Sequence, residues 1–157
     1  MRAAVLTVSD GVSAGTRADA SGDVLEAKLL AAGFELSGRR VVADERAEIA
    51  AALRDLVAAA DLVLSTGGTG FAPRDVTPEA TAEVIERATP GLDEHMRAVS
   101  IAVSPHGMLS RGRSGIRGAA LIVNLPGSPK ACAELYDAIA PALEHGLRLL
   151  LELPTSH

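Results

Sequence analysis

Ser65-Thr66-Gly67-Gly68-Thr69-Gly70-Phe71-Ala72-Pro73-Arg74-Asp75-Val76-Thr77-Pro78-Glu79 is the stretch on which the fold turns. Ahead of it, Ala60-Asp61-Leu62-Val63-Leu64 is a short apolar run of the buried-strand kind. Behind it, Thr77-Pro78 predicts a helix start, with Thr77 as N-cap and Pro78 at the first helical position, where a missing N–H costs nothing. The order is therefore strand, glycine loop, polar turn, helix. Such an order leaves backbone N–H groups pointing out at the carboxyl end of a strand, where open α/β sheets bind anions. Asp75 stands where its carboxylate could hold a cation beside the anion.

The same device recurs on both sides. Residues 3 to 9 read as a first buried strand, followed by a polar loop from Asp10 to Asp19. Ser21 is the expected cap of a helix from about Gly22 to Ala32, closed by Gly33, with Leu25, Leu29 and Leu30 as its apolar stripe. Phe34 to Ala43 reads as a second strand, more alternating and nearer an edge. Asp44 then takes the N-cap place of a helix striped by Ile49, Leu53, Leu56 and Val57. After the helix at Pro78, Thr89-Pro90 restarts another, carrying Met96 and Val99. A break at Pro105 leads into a Gly- and Arg-rich stretch ending at Gly118. Ala119 to Leu125 is the last strong strand, and Pro126-Gly127-Ser128-Pro129 opens a final helix to about Leu151. Strands alternating with helices predict an α/β fold: a three-layer sandwich with a mainly parallel sheet between helices and one short hairpin or antiparallel element near 108 to 118.

Composition narrows the function. A chain of 157 residues is expected to form one domain, residues 1 to 157. It is 48% hydrophobic but only 2% aromatic, so the core must be aliphatic. A net charge of -5, with one Tyr, two Phe and no Trp, argues against nucleic-acid binding, which needs a basic face or stacking rings. One cysteine, Cys132, excludes an internal disulfide and reads as a small core residue. The first ten residues lack the features of a signal peptide, and no apolar run reaches membrane-span length. A cytoplasmic protein is expected.

Several chemistries are missing. There is no phosphate loop ending in Gly-Lys-Ser/Thr, no zinc-spaced Cys or His pair and no Gly-x-Ser-x-Gly elbow. His95, His106, His145 and His157 are scattered and read as ordinary surface or helix residues. What remains is oxygen-rich. Three glycines and three hydroxyl residues lie between Ser65 and Gly70, more than a tight turn needs. Asp44 and Asp75 both follow strands and fall on one rim of the sheet. Each has a bland alternative, an N-cap for Asp44 and a surface ion pair for Asp75. Together, beside a glycine loop, they suit a magnesium-bound nucleotide. Arg111, Arg113 and Arg117, with Lys130 beyond, offer either a solvated loop or a cationic wall for a phosphorylated substrate.

Read in order, the motifs Thr7-Val8-Ser9-Asp10, Asp19-x-Ser21-Gly22, Thr66-Gly67-Gly68-Thr69-Gly70, Arg74-Asp75-Val76-Thr77-Pro78-Glu79-Ala80, Pro90-Gly91, Leu109-Ser110-Arg111 and Asn124-Leu125-Pro126-Gly127-Ser128-Pro129-Lys130 span nearly the whole chain. This pattern resembles the molybdopterin adenylyltransferases of molybdenum-cofactor biosynthesis, the MogA/MoaB type also seen as the G domain of gephyrin. The resemblance implies an α/β homotrimer that transfers AMP from Mg-ATP to the terminal phosphate of molybdopterin, releases pyrophosphate, and passes the product to a molybdate-inserting partner enzyme. It implies Asp44 and Asp75 as catalytic and magnesium-binding residues. It places Ser9, Asp10, the loop Thr66 to Gly70, Ser110, Arg111, Asn124, Pro126, Gly127 and Ser128 around the substrates. Ala43 departs from the pattern, since many members carry proline before the first aspartate. Rival readings are a non-catalytic molybdopterin carrier of the same fold, an interaction scaffold, and a nucleotide-processing domain of the competence-damage type.

Overall fold

The computed structural model describes residues 1–155; Ser156 and His157, and with them the reading of His157, lie outside the described residues. The strands are β1 (Arg2–Val8), β2 (Glu35–Val42), β3 (Leu62–Thr66), β4 (Arg87–Ala88), β5 (Ser114–Arg117) and β6 (Ala120–Leu125). The helices are α1 (Asp10–Ser13), α2 (Ala20–Ala31), α3 (Arg46–Val57), α4 (Thr77–Val84), α5 (Pro90–Val103) and α6 (Pro129–Leu150), with a short 3-10 helix at Pro105–Leu109. One sheet runs in the order β2-β1-β3-β6-β5-β4. Its first four members are parallel, and β5 is antiparallel to both β6 and β4. The mainly parallel sheet, the outer place of the second strand and the antiparallel element near residue 114 all agree with the sequence reading.

Alternation along the central strands builds two cores. Val5, Leu64 and Val123 face α2, α5 and α6, meeting Leu25, Leu29, Met96 and Ile139. Leu6, Val63 and Ile122 face α3 and α4, meeting Ile49, Leu53, Ala80 and Val84. Each such leucine, fully buried, contributes about 1.5–3 kcal/mol by leaving water. With both faces covered, ligands can reach this sheet only at its rims, and the carboxyl rim is where the loops converge.

β2 carries a bulge. Ala3 pairs with Leu36 but Ala4 pairs with Gly38, so Ser37 is an extra residue, and its hydroxyl donates to the Ala3 carbonyl at 3.2 Å. The bulge explains a parity the bare pattern hides. Leu36 packs on the α2 side, whereas Val42, an even number of residues later, packs on the α3 side.

Four local expectations are corrected. The stretch after β1 is not all loop: Ser9 caps a single helical turn, α1, by accepting the Val12 N–H at 3.3 Å. Asp19, not Ser21, caps α2, accepting the Gly22 N–H at 3.0 Å. Asp44 is not an N-cap; α3 starts after Glu45, without a side-chain cap. Thr77 lies inside α4, and its hydroxyl donates back to the Gly67 carbonyl at 2.9 Å. Thr77 and Asp44 are drawn off by partners that tertiary folding brings near, the Gly67 carbonyl and the Asp10 N–H, whereas Ser9 and Asp19 each cap with an N–H three residues on. Gly33 (φ 82°) and Ser128, which accepts the Ala131 N–H at 3.4 Å, end α2 and begin α6 as expected.

Candidate active site

A cavity of about 460 Å³ opens at the carboxyl ends of the parallel strands. β1 contributes Thr7 and Val8, with Ser9 following; the turn after β2 contributes Asp44; β3 and its loop contribute Thr66, Gly67, Gly68 and Asp75; the turn after β6 contributes Gly127. Seven of the sequence-predicted residues therefore meet here: Ser9, Asp44, Thr66, Gly67, Gly68, Asp75 and Gly127.

The loop is glycine because the fold leaves no alternative. Gly67 has φ 97°, and a Cβ there would lie 2.2 Å from the Val8 carbonyl oxygen. Gly68 has φ 63°, and a Cβ there would lie 2.4 Å from the Thr77 hydroxyl and 3.1 Å from Asp44 Oδ1. Backbone is thus pressed against β1 on one side and presented beside a carboxylate on the other.

The two aspartates converge on this loop. Asp44 Oδ1 stands over Gly68, and Asp75 Oδ2 comes within 2.9 Å of a Cβ position on Gly70. Burial pushes the Asp44 carboxyl above its ordinary value. The Asp10 N–H pulls the other way, while repulsion from Asp10 and Asp75 adds to the rise. Asp10 sits beside the cavity, exposed, with its carboxyl held below the usual range by the Arg74 guanidinium and the Asp44 N–H. Arg74 donates to Asp10 at 2.6 Å and 3.0 Å and to Glu45 at 2.8 Å, so it is committed to neighbouring acids.

The remaining predicted residues divide. Thr69, Gly70, Ser110 and Pro126 line a second cavity of about 310 Å³ beyond the glycine loop, whose wall includes the apolar Val103, Leu109 and Leu135. Ser128 is exposed at the start of α6. Arg111 turns inward: it donates to the carbonyls of Gly70 at 2.7 Å and Asp75 at 2.6 Å and pairs with Glu79. It braces the loop and the turn that carries Asp75. Against the cost of burial, Arg111 holds the Glu79 carboxyl below its ordinary range. Asn124 is buried in the sheet, donating to the Ser65 and Thr81 hydroxyls at 2.8 Å and 2.9 Å and accepting the Arg113 N–H at 3.1 Å. Its amide is spent on the core, so it orders the site from beneath. The other cationic residues scatter: Arg113 lines a separate cavity with Arg97, Arg111, Glu79 and Asp93, Arg117 donates to the Val84 carbonyl at 2.9 Å, and Lys130 is exposed beside Glu134. His95, His106 and His145 are exposed, as expected; His106 also borders the second cavity. Cys132 is buried, its thiol pushed up to about 11 by desolvation.

Sequence reasoning missed Arg17. It lines the first cavity, and its guanidinium donates to Ser9 Oγ at 3.0 Å. Nothing in the pattern around it marks it, because its position depends on how the loop after β1 closes.

The donor set suits a hard divalent cation. Asp44 and Asp75 offer carboxylate oxygens whose charges repel each other. No group of three or more His, Cys, Asp or Glu that could hold a metal exists among the described residues. A cation here would complete its shell with phosphate oxygens and water, which is the habit of Mg²⁺.

The family described as "Probable molybdopterin binding domain" matches residues 4–145. The chain belongs to this molybdopterin-binding domain family. Among curated relatives, the molybdopterin adenylyltransferase of Escherichia coli (strain K12) is 42% identical over 147 residues, covering 90% of this chain and 75% of that protein. The molybdopterin adenylyltransferase of Helicobacter pylori (strain J99) is 41% identical, covering 94% of this chain and 86% of that protein. The crystal structure of the molybdopterin biosynthesis enzyme MoaB from Thermus thermophilus superposes with a TM-score of 0.90 at 44% identity, covering 99% of both chains. The family match and the structural superposition together take in nearly all of the described residues. No helix among the described residues is long and apolar enough to cross a membrane.

Proposed function

We propose that this chain is a molybdopterin adenylyltransferase of molybdenum-cofactor biosynthesis, consuming ATP and releasing pyrophosphate. The observation that carries the reading is the convergence of Asp44 and Asp75 over a loop whose glycines are required by contact. The two cavities divided by that loop suit two substrates: the carboxylate-bearing one takes the nucleotide phosphates, and the one with apolar walls takes the pterin.

The chemistry asks little covalent work of the protein. A terminal phosphate oxygen of molybdopterin attacks the α-phosphorus of ATP. A new P–O bond forms, and the bond from the α-phosphorus to the bridging oxygen breaks. Its electron pair leaves with pyrophosphate. The nucleophile is already an anion, so no general base is needed. Asp44 and Asp75 would hold Mg²⁺, which when bound neutralises charge on the phosphate oxygens. The Gly67 N–H is spent on the Leu125 carbonyl at 3.2 Å, so the Gly68 to Gly70 backbone would offer its N–H groups to the reacting phosphates, and Arg111 keeps Gly70 and Asp75 in place behind them. Exposed Val103, Met108 and Leu109, beside the second cavity, support assembly into a homotrimer. The product would pass to a molybdate-inserting enzyme in the cytoplasm.

The test is pyrophosphate release from Mg-ATP and molybdopterin. Asp75→Asn should lower the rate by about 100-fold or more while molybdopterin binding stays within about twofold. Full activity in that variant would overturn the assignment. Molybdopterin binding with no pyrophosphate release by the unaltered protein would leave a carrier.

A further inference from the structure

The cavity that holds Asp44 and Asp75 contains a third charged side chain, Arg17, the only Lys or Arg lining it among the described residues. We propose that Arg17 is the phosphate clamp of this site, gripping the β- and γ-phosphates of the nucleotide and neutralising pyrophosphate as it leaves. The proposal rests on the adenylyl-transfer reading for the identity of the anion.

Charge makes the first case. The other fixed charges in the cavity, Asp44 and Asp75, are negative, and a triphosphate brings more negative charge than one divalent cation offsets. Binding there calls for a fixed positive group, and an arginine fork matches phosphate oxygens two at a time.

Availability makes the second. The chain has more acids than bases, 20 Asp and Glu against 15 Lys and Arg. Arg39, Arg74 and Arg111 are all held in ion pairs. Arg17 has no acidic partner among the described residues, and its one side-chain hydrogen bond goes to a neutral hydroxyl, Ser9 Oγ. Most of its fork is free to meet a ligand.

Placement makes the third. The Arg17 N–H donates to the Gly11 carbonyl at 3.1 Å, and the side chain lies across Gly11, its Cβ 3.6 Å and its Nε 3.8 Å from where a Gly11 Cβ would be. The guanidinium is tied to Ser9 at its far end. The stem is fixed at both ends before any ligand arrives, which lowers the ordering cost of binding. Ser9 Oγ already accepts from Val12 and Arg17, so its own proton remains for the anion.

The experiment is calorimetric titration of the full chain, with Mg²⁺ present, by ATP, inorganic pyrophosphate and AMP in turn. Arg17→Ala should weaken ATP and pyrophosphate about 10- to 100-fold and leave AMP within about twofold; Arg17→Lys should fall between. The melting temperature of both variants is followed in parallel, and Arg17→Lys carries the comparison if the alanine variant does not fold. Unchanged affinity for ATP and pyrophosphate would overturn the proposal. So would an equal loss for AMP, which would place Arg17 elsewhere on the nucleotide, and so would failure of the unaltered chain to bind pyrophosphate. If the unaltered chain binds ATP and pyrophosphate as described but transfers no AMP to molybdopterin, the clamp stands and the transferase reading falls.

Discussion

Asp44 Oδ2 accepts the backbone N–H of Asp10 at 2.8 Å, and Asp10 Oδ1 accepts the backbone N–H of Asp44 at 3.0 Å. The exchange stitches the end of β1 to the end of β2. It also fixes which oxygen of Asp44 is free, since Oδ1 is left standing over Gly68. Asp10 is thus placed to aim the Asp44 carboxylate.

Arg74 extends this stitch to the turn that carries Asp75, through its pairs with Asp10 and Glu45. Arg74→Ala should lower kcat about 10-fold through misplacement of Asp75 and Asp44, with little change in the KM for molybdopterin. The partners are solvent-exposed, so the deficit should resemble that of the parent enzyme at high salt. Steady-state kinetics over a salt series checks both statements.

Asp44 should show a trade between activity and stability. Its folded pKa lies above the ordinary value, so the native state holds the proton more tightly than the unfolded chain does. Stability therefore falls as pH rises from the ordinary value of 3.8 through the raised one, and ionised Asp44 is a burden at neutral pH. Asp44→Asn keeps an oxygen to accept the Asp10 N–H. It should melt higher than the parent at neutral pH, an advantage that shrinks below about pH 4, while transferring almost no AMP. Calorimetry across pH measures the crossover; Mg-ATP should raise the melting temperature of the parent more than that of the variant.

Gly67→Ala meets two obstacles at once, a backbone at φ 97° and the Val8 carbonyl 2.2 Å from the new methyl. The carbonyl belongs to a central strand and has little room to yield. A loss of about 3 kcal/mol or more in urea unfolding is expected, with adenylyl transfer lost even where folding persists.

Asn124→Ala would strip the Arg113 N–H of its acceptor and leave the Ser65 and Thr81 hydroxyls unbridged in a buried space. Destabilisation of about 2–4 kcal/mol is expected. The KM for molybdopterin should move less than twofold, because the amide faces the core. A large KM change with intact stability would restore Asn124 to the substrate surface.

The layers of the fold were legible because burial imposes a period on the chain. Leu62 to Leu64 and Ile122 to Val123 can only be inner strands, and Leu25, Leu29, Ile49 and Leu53 can only be helix faces turned inward. The rim carrying Asp44 and Asp75 followed from topology alone. Hydroxyls and carboxylates were harder to read. Thr77 and Asp44 have the chemistry of a cap, yet the Gly67 carbonyl and the Asp10 N–H reach them only after the strands have aligned. Arg111 was indistinguishable from a substrate-facing arginine, since its partners are carbonyls of a loop far back in the chain. The two-residue strand β4 has too few residues to carry any pattern.

The bulge at Ser37 bears on how these molecules behave in a crowd. β2 forms one border of the sheet, and a straight border with unpaired backbone invites a neighbouring chain to zip alongside. The extra residue interrupts that template, and Arg39 and Arg40 follow it on the same strand. The opposite border, β4, is only two residues long and gives an intruder almost nothing to grasp. The sheet is thus guarded against runaway stacking at both of its open ends, by irregularity on one side and brevity on the other.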